Sequence, residues 1–424
     1  MNTPSATSFT RYQKFMIALI ALIQFTVILD FMVISPLGAM LTKSMRISAT
    51  QFGWIVSAYA FSAAVSGIAA AGFADRFDRK QMLLFFYAGF TGGTLLCGVA
   101  SGFWFLLMAR MVTGLFGGVM FSIGMAIVAD LFPLQVRGRV MGFVQMAFAS
   151  SQVLGIPIGL KLAGMFDWHA PFLLIVGVCV LIGLAIWRGM QPMREHLKRG
   201  PVAHPMQHLL ATAAQPRYQQ AFLTTVFIST GGFLLMPYSS NFLVNNVGIK
   251  QEDLFMLYMV TGAAGLVAGP LIGRLADKAG KYNVFIAGSC LAILMVIWFT
   301  QLGITPLWLV MIVNAVMMTA VTSRMIPSQA LISAVPDMKD RGAFMAINAS
   351  VQQMGGGVAA VIGGAIITSE PSGFLHHFDV IGYVCVAAFV ICAVCMFVVN
   401  KAIQQKQSQP AAEPTAAPVI VMAE

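Results

Sequence analysis

Apolar residues in this chain come in long unbroken runs, not in the alternation of a half-buried strand or the spacing of an amphipathic helix. Runs long enough to cross about 30 Å of hydrocarbon fall at 15–41, 52–74, 81–100, 103–129, 140–163, 170–187, 219–244, 254–273, 282–302, 306–331, 343–368 and 380–400. The pattern predicts an all-α membrane protein with twelve spans. Most connections are short. The middle one, 188–218, is long, polar and basic, and carries Pro192, Pro201, Pro205 and Pro216. The expected organisation is therefore an N-terminal segment (1–14), a six-helix bundle (15–187), a linker (188–218), a second six-helix bundle (219–400) and a tail (401–424). The first run lacks a small-residue cleavage site and reads as a retained span. The tail is Pro/Ala-rich after Lys406 and reads as disordered.

Composition agrees with the runs and narrows the class. Of 424 residues, 58% are hydrophobic and 9% charged, with mean hydropathy +0.83. Soluble domains carry about 25% charged residues, so this chain cannot cover a soluble surface. Its formal net charge of +10 would suit nucleic acid, but the distribution points elsewhere. Nineteen Lys and Arg fall on the side of the N-terminus, including the linker, and four (Lys43, Arg46, Lys161, Lys250) on the other. By the positive-inside rule both termini are expected in the cytoplasm of a bacterial inner membrane. The basicity is then a topology signal, with no nucleic-acid partner.

Several chemistries are excluded. All six cysteines, Cys392 and Cys395 of a C-x-x-C among them, lie in apolar runs with no acidic or histidine partner nearby. His204 and His208 are four apart but lack a third ligand, so no metal site is expected. No G-x-x-x-x-G-K-[ST] loop is present to drive transport with ATP. No nucleophile, base and orienting group are legible at one depth, so no enzyme is expected.

The charges inside the spans carry the functional signal. Asp30 is the only charge between Phe15 and Leu41. A carboxylate at that depth costs about 2.5–3.5 kcal/mol on insertion scales and marks a proton or cation path. Arg110 lies in the fourth span. At about 1.5 Å per residue, both groups sit roughly 10–16 Å below the outer ends of their spans, within reach of each other. A pair that forms in one state and breaks in another would couple protons to access; a static lock between two helices is the alternative. Arg324 lies in the tenth span, and no acidic residue lies in any span of the C-terminal half. It could reach Asp30, extend to the membrane surface, or bind an anionic substrate group. Gln24, Tyr59, Gln145, Tyr238, Asn241, Arg324 and Asn348 are the candidate lining of a Met- and Phe-rich cavity suited to amphipathic ligands.

The halves repeat. Ala71-Gly72-Phe73-Ala74-Asp75-Arg76-Phe77-Asp78-Arg79-Lys80 follows the second run, and Gly273-Arg274-Leu275-Ala276-Asp277-Lys278-Ala279-Gly280-Lys281 follows the eighth. Both resemble the G-x-L-A-D-R-x-G-R-K signature of the major facilitator superfamily, with Ala71 and Asp78 in place of two glycines. The resemblance covers about 11–400. It implies two pseudo-symmetric bundles around a central cavity and a cytoplasmic gate network of Asp75, Arg76, Arg79, Asp277 and Lys278. Gly155-Ile156-Pro157-Ile158-Gly159 resembles the G-x-P-x-G core of the antiporter motif, and Asp167-Trp168-His169 resembles the entry to span six of sugar-efflux permeases. Arg110 stands where the drug:proton antiporters of the family carry a basic residue tied to proton transfer. The resemblance implies a monomeric, proton-driven exporter of a small molecule, a drug or sugar-like metabolite, with no cofactor. A symporter importing a small anionic metabolite and a non-transporting sensor are the rivals.

Overall fold

The computed structural model describes residues 9–73, 76–194, 197, 205–337, 339–370 and 372–408. Helix α1 (Arg11–Val33) opens on a capping box. Thr10 Oγ1 accepts from the Gln13 N–H at 3.2 Å, and Gln13 Oε1 accepts from the Thr10 N–H at 3.0 Å. These bonds satisfy donors the first turn leaves free. The first apolar run is not one helix: α1 stops at Val33, and a turn leads to α2 (Gly38–Met45). Pro36 is the reason, having no N–H and a ring that clashes with the preceding turn.

α3 (Ala49–Phe73) and α4 (Arg79–Gly98) follow the second and third runs, while the fourth divides at Gly118 and Val119 into α5 (Phe103–Gly117) and α6 (Met120–Leu131). In the fifth, α7 (Leu134–Ser150) passes through a π-helical turn, Ser151–Gly155, into α8 (Ile156–Met165). Pro157 cannot donate to the Val153 carbonyl, and the wider turn absorbs the break. α9 (Ala170–Gly189) carries Pro171 in its first turn, and α10 (Pro205–Ala214) lies within the linker.

The seventh run breaks at Pro237. α11 (Pro216–Phe233) is followed by a 3-10 turn, Met236–Tyr238, and by α12 (Ser239–Asn245). Pro36 and Pro237 are 201 residues apart, close to the 202 between Asp75 and Asp277. The repeat therefore extends to the bends. α13 (Leu254–Ala279) ends at Gly280, whose φ of +91° suits glycine. α14 (Lys281–Thr300), α15 (Leu307–Ile332), α16 (Arg341–Ile366) and α17 (Phe378–Ser408) complete the helices. Between α16 and α17, strands β1 (Thr368–Ser369) and β2 (Leu375–His376) pair antiparallel, Thr368 opposite His376.

Among the described residues, ten helical stretches are long and apolar enough to cross a membrane. The two remaining predicted runs are helical but fall outside that set. One is broken by the π turn, and the other, α16, carries Asn348, Ser350, Gln352 and three consecutive glycines. Phe85, Trp104, Leu181, Leu294 and Val394 are exposed. An apolar surface of that extent suits lipid and not water, as in a multi-pass membrane protein.

The two halves of the chain meet where α3 packs along α16 and where the π turn and α8 pack on α13. The approach is close: a Cβ at Gly53 would stand 2.7 Å from the Ala360 carbonyl oxygen, and one at Gly364 would stand 2.8 Å from that of Ala49. At mid-depth Phe31 lies between Tyr59 and Phe233, with ring centroids 5.1 and 5.6 Å away. The face opposite the N-terminus is sealed by hydrogen bonds between the halves. Ser240 Oγ donates to the Ser35 carbonyl at 2.8 Å, Thr42 Oγ1 to Asn241 Oδ1 at 3.1 Å, and Thr50 Oγ1 to the Gly364 carbonyl at 2.7 Å. The bent tips α2 and α12 thus close on each other.

Candidate functional site

Asp30 sits three residues before the end of α1, and α5 turns Arg110 toward it. Arg110 Nη1 lies 2.8 Å from Asp30 Oδ2 and 3.3 Å from the Asp30 carbonyl oxygen, and both side chains are 0% exposed. From α4, Thr94 Oγ1 donates to Asp30 Oδ1 at 3.1 Å. From α3, the Tyr59 ring faces the guanidinium carbon at 4.6 Å, a cation–π contact. Four helices of the N-terminal half therefore hold one buried ion pair. Both carboxylate oxygens are engaged, while Arg110 Nε and Nη2 have no hydrogen-bond partner. Buried donors without acceptors are uncommon, and here two lie on one guanidinium. Thr94 was not legible from sequence as a partner of Asp30, and Tyr59, expected to line the cavity, instead faces Arg110.

The G-x-P-x-G segment lies directly against α1. A Cβ at Gly155 would stand 2.6 Å from Leu29 Cδ1, and one at Gly159 would stand 3.3 Å from Val33 Cγ2. Pro157 is buried in the first turn of α8. On its other side the π turn meets α13, where a Cβ at Gly262 would stand 3.0 Å from the Gln152 carbonyl. The bent helix is thus wedged between the helix that carries Asp30 and the opposite half.

Asp75 of the expected gate lies outside the described residues. Arg76 is exposed. Asp78 caps α4, accepting from the Lys80 N–H at 2.9 Å, the Met193 N–H at 3.2 Å and Arg194 Nε at 2.9 Å. Burial opposes its ionisation, but Arg194 and the two N–H groups hold the carboxyl below its ordinary value. Arg79 pairs with Asp130, at the end of α6, at 3.1 Å. Asp277 and Lys278 are exposed at the end of α13 and form no ion pair with the described residues. Among the described residues, the ion pairs of Asp78 and Arg79 stay within the N-terminal half and the segment after α9. A further cluster lies where α10 meets α16. Asp340 accepts from His208 at 3.0 Å, Tyr218 at 3.0 Å and Gln215 at 3.4 Å.

The expected cavity residues part company. Tyr238 is buried at the sealed face with its hydroxyl on the Ala360 carbonyl, and Asn241 holds Thr42. Both fasten helices. Asn348 Oδ1 accepts from Thr225 at 2.6 Å. Gln24 is buried, and the side chain of Gln145 lies outside the description. Arg324 does not reach Asp30, whose carboxylate is taken by Arg110, nor does it extend to the surface. It is 4% exposed and lines a cavity of about 60 Å³. A larger hollow of about 450 Å³ opens on the sealed face beside Ser44, Ala100, Trp168 and His169.

Sequence and structure comparisons identify the family. A family model described as Major Facilitator Superfamily covers residues 20–299 and 221–421. An uncharacterized MFS-type transporter of Bacillus subtilis (strain 168) is 30% identical over 275 residues, 63% of this chain and 68% of that protein. A probable sugar efflux transporter of Helicobacter pylori (strain G27) is 24% identical over 246 residues, 58% of this chain and 62% of that one. Among solved structures, a bacterial homolog of the human lysosomal transporter Spinster, inward-facing and unoccupied, superposes with TM-score 0.76 at 17% identity, covering 95% of this chain and 100% of that one. A D-xylose–proton symporter gives 0.73 at 15% identity, covering 91% and 97%. With the family model matched across both halves of the chain, the protein belongs to the Major Facilitator Superfamily, and it is a membrane transporter and not an enzyme.

Proposed function

We propose that the chain is a secondary active transporter that exports a small amphipathic molecule in exchange for protons by alternating access. Twelve spans form two six-helix bundles, residues 15–187 and 219–400, in a bacterial inner membrane, with both termini and the linker cytoplasmic. The protein works as a monomer with no cofactor. The observation that carries this reading is the Asp30–Arg110 pair, fully buried at 2.8 Å. A dry ion pair is stable only while both partners stay charged and together. Protonation of Asp30 releases Arg110, and the released helices change their packing.

Several features support the cycle. The face assigned to the outside is sealed by the tips α2 and α12, as an inward-accessible state requires. The π turn and Pro157 place a bend next to Leu29, where a shift of the helix is felt at Asp30. Relatives named as sugar efflux transporters favour export, and a neighbour named as a proton symporter favours proton coupling. The Met- and Phe-rich interior favours amphipathic cargo.

The test uses proteoliposomes with an imposed pH gradient and a trapped pH dye, challenged with amphipathic drugs, sugars and organic acids. A substrate is expected to trigger proton movement opposite to its own, and Asp30→Asn is expected to abolish it. Proton movement in the same direction as the substrate would replace export with import. Full proton-coupled flux in Asp30→Asn would remove the coupling role, and binding without flux would make the protein a sensor.

A further inference from the structure

Arg324 is a buried cation without a carboxylate. Its Nε donates to Ser289 Oγ at 3.2 Å, and its guanidinium carbon lies 3.5 Å over the Phe389 ring and 5.9 Å from that of Phe285. Nη2 has no hydrogen-bond partner although it is shut off from solvent. Among the described residues no acidic side chain pairs with it, and Asp30, the acidic group at membrane depth, is held by Arg110. Aromatic faces offset part of the desolvation of a guanidinium, but a buried charge is normally paired. Arg324 is one wall of a cavity of about 60 Å³ that is also lined by Ser229, Gln352, Phe233, Met325 and Phe389. A space of that size exceeds the 10–15 Å³ or so that a single water needs. It holds a small charged head, not a whole drug-sized molecule. Ser229 spends its proton on backbone carbonyls of α11, which leaves the Gln352 amide beside Arg324 as a second donor. A strong cationic donor and an amide in an apolar wall select a compact monovalent anion on an apolar body.

We propose that Arg324 and Gln352 form an anion subsite in the C-terminal half that takes the carboxylate of an amphipathic monoanion. This rests on the transporter reading and narrows its substrate class. A small inorganic anion has the same chemistry, and the experiment separates the two.

Full-length protein in nanodiscs is titrated with phenylbutyrate, phenylbutanol and phenylbutylamine in gluconate buffer, and separately with chloride. Thermal unfolding midpoint and calorimetric affinity are read. Phenylbutyrate is expected to raise the midpoint and the neutral and cationic analogues to leave it unchanged. Arg324→Gln should weaken phenylbutyrate by roughly tenfold or more, with Arg324→Lys in between and Gln352→Leu weakened less. The latter two variants keep the test decisive if Arg324→Gln does not fold. A chloride response that Arg324→Gln removes, with none to phenylbutyrate, upholds the anion site and makes its occupant inorganic. Equal binding of acid and alcohol, no response to either anion, or wild-type affinity in the folded variants overturns the proposal. If phenylbutylamine drives proton flux while no anion binds, the transporter reading stands without this subsite. If phenylbutyrate binds through Arg324 and no tested compound is carried, the subsite stands and transport falls.

Discussion

At Asp30 the membrane, the fold and the proposed chemistry meet in one carboxylate. Its two oxygens are held by Arg110 and Thr94, and nothing solvates it. Removing one partner of a buried pair leaves the other charged in an apolar site, a loss of about 3–5 kcal/mol, whereas removing both can be nearly neutral. We therefore expect Arg110→Met to lower stability by about that amount and the double variant Asp30→Asn/Arg110→Met to recover most of it without recovering transport. A double-mutant cycle on denaturation midpoints checks this; additive losses would show that the pair is not energetically coupled. The presence of Asp30 and Arg110 at similar depth was legible in sequence because a charge in an apolar run is conspicuous. Thr94 was not, because a threonine in a span is unremarkable until the packing of helices brings it to a charge, and Tyr59, expected at the cavity, was not legible as the ring that faces Arg110.

Helices in this chain are shaped by proline and glycine at positions visible in the sequence. Pro36 and Pro237 end α1 and α11 early and create the tips α2 and α12, which then close against each other. The runs 15–41 and 219–244 concealed this, since hydrophobicity continues through the bend while the hydrogen-bond ladder does not. Thr42→Cys/Asn241→Cys, replacing side chains 3.1 Å apart, is expected to form a disulfide across the tips and arrest transport, with reduction restoring it. Failure to cross-link would mean that this face is not closed in the membrane. Gly53→Ala would drive a methyl to 2.7 Å from a backbone oxygen of α16. Backbone cannot rotate away as a side chain can, so the variant should push α3 from α16 and slow that cross-link, measured by the rate of oxidation. An unchanged rate would show that the contact is not needed for closure.

Across the whole molecule, short-range charge networks hold the linker to the body. α10 is tied to the start of α16 by Asp340, and Asp78 ties the start of α4 to the segment after α9. The hydrogen bond with His208, together with those from Tyr218 and Gln215, holds the Asp340 carboxyl below its ordinary value. A depressed carboxylate stabilises the fold above its unfolded-state value, and the contribution is lost as pH falls through the folded one. The melting midpoint is therefore expected to hold above the ordinary aspartate range, about pH 4, and to fall as the pH drops below it. Asp340→Ala should lower the midpoint at neutral pH and flatten that acid fall; an unchanged acid limb would assign the loss to other carboxylates. The charge asymmetry makes a separate prediction. A cysteine replacing the exposed Gln207 on α10 should react with a membrane-impermeant maleimide only from the cytoplasmic side. Reaction from the outside would invert the topology.

By itself the sequence determined the membrane class, the repeated motifs and the family, because these rest on signals contained within a run or a motif: hydrophobicity, proline, glycine and motif spacing. The tertiary structure decided which charges are partners. Asp30 finds Arg110 across 80 residues and His208 finds Asp340 across 132. It also turned Tyr238 and Asn241 from expected cavity lining into fasteners of the sealed face, and placed Arg324 on an aromatic ring instead of on an acid. Membrane helices offer every side chain the same apolar background along the chain. Only their packing decides whether a polar group meets lipid, a neighbouring backbone or a buried charge.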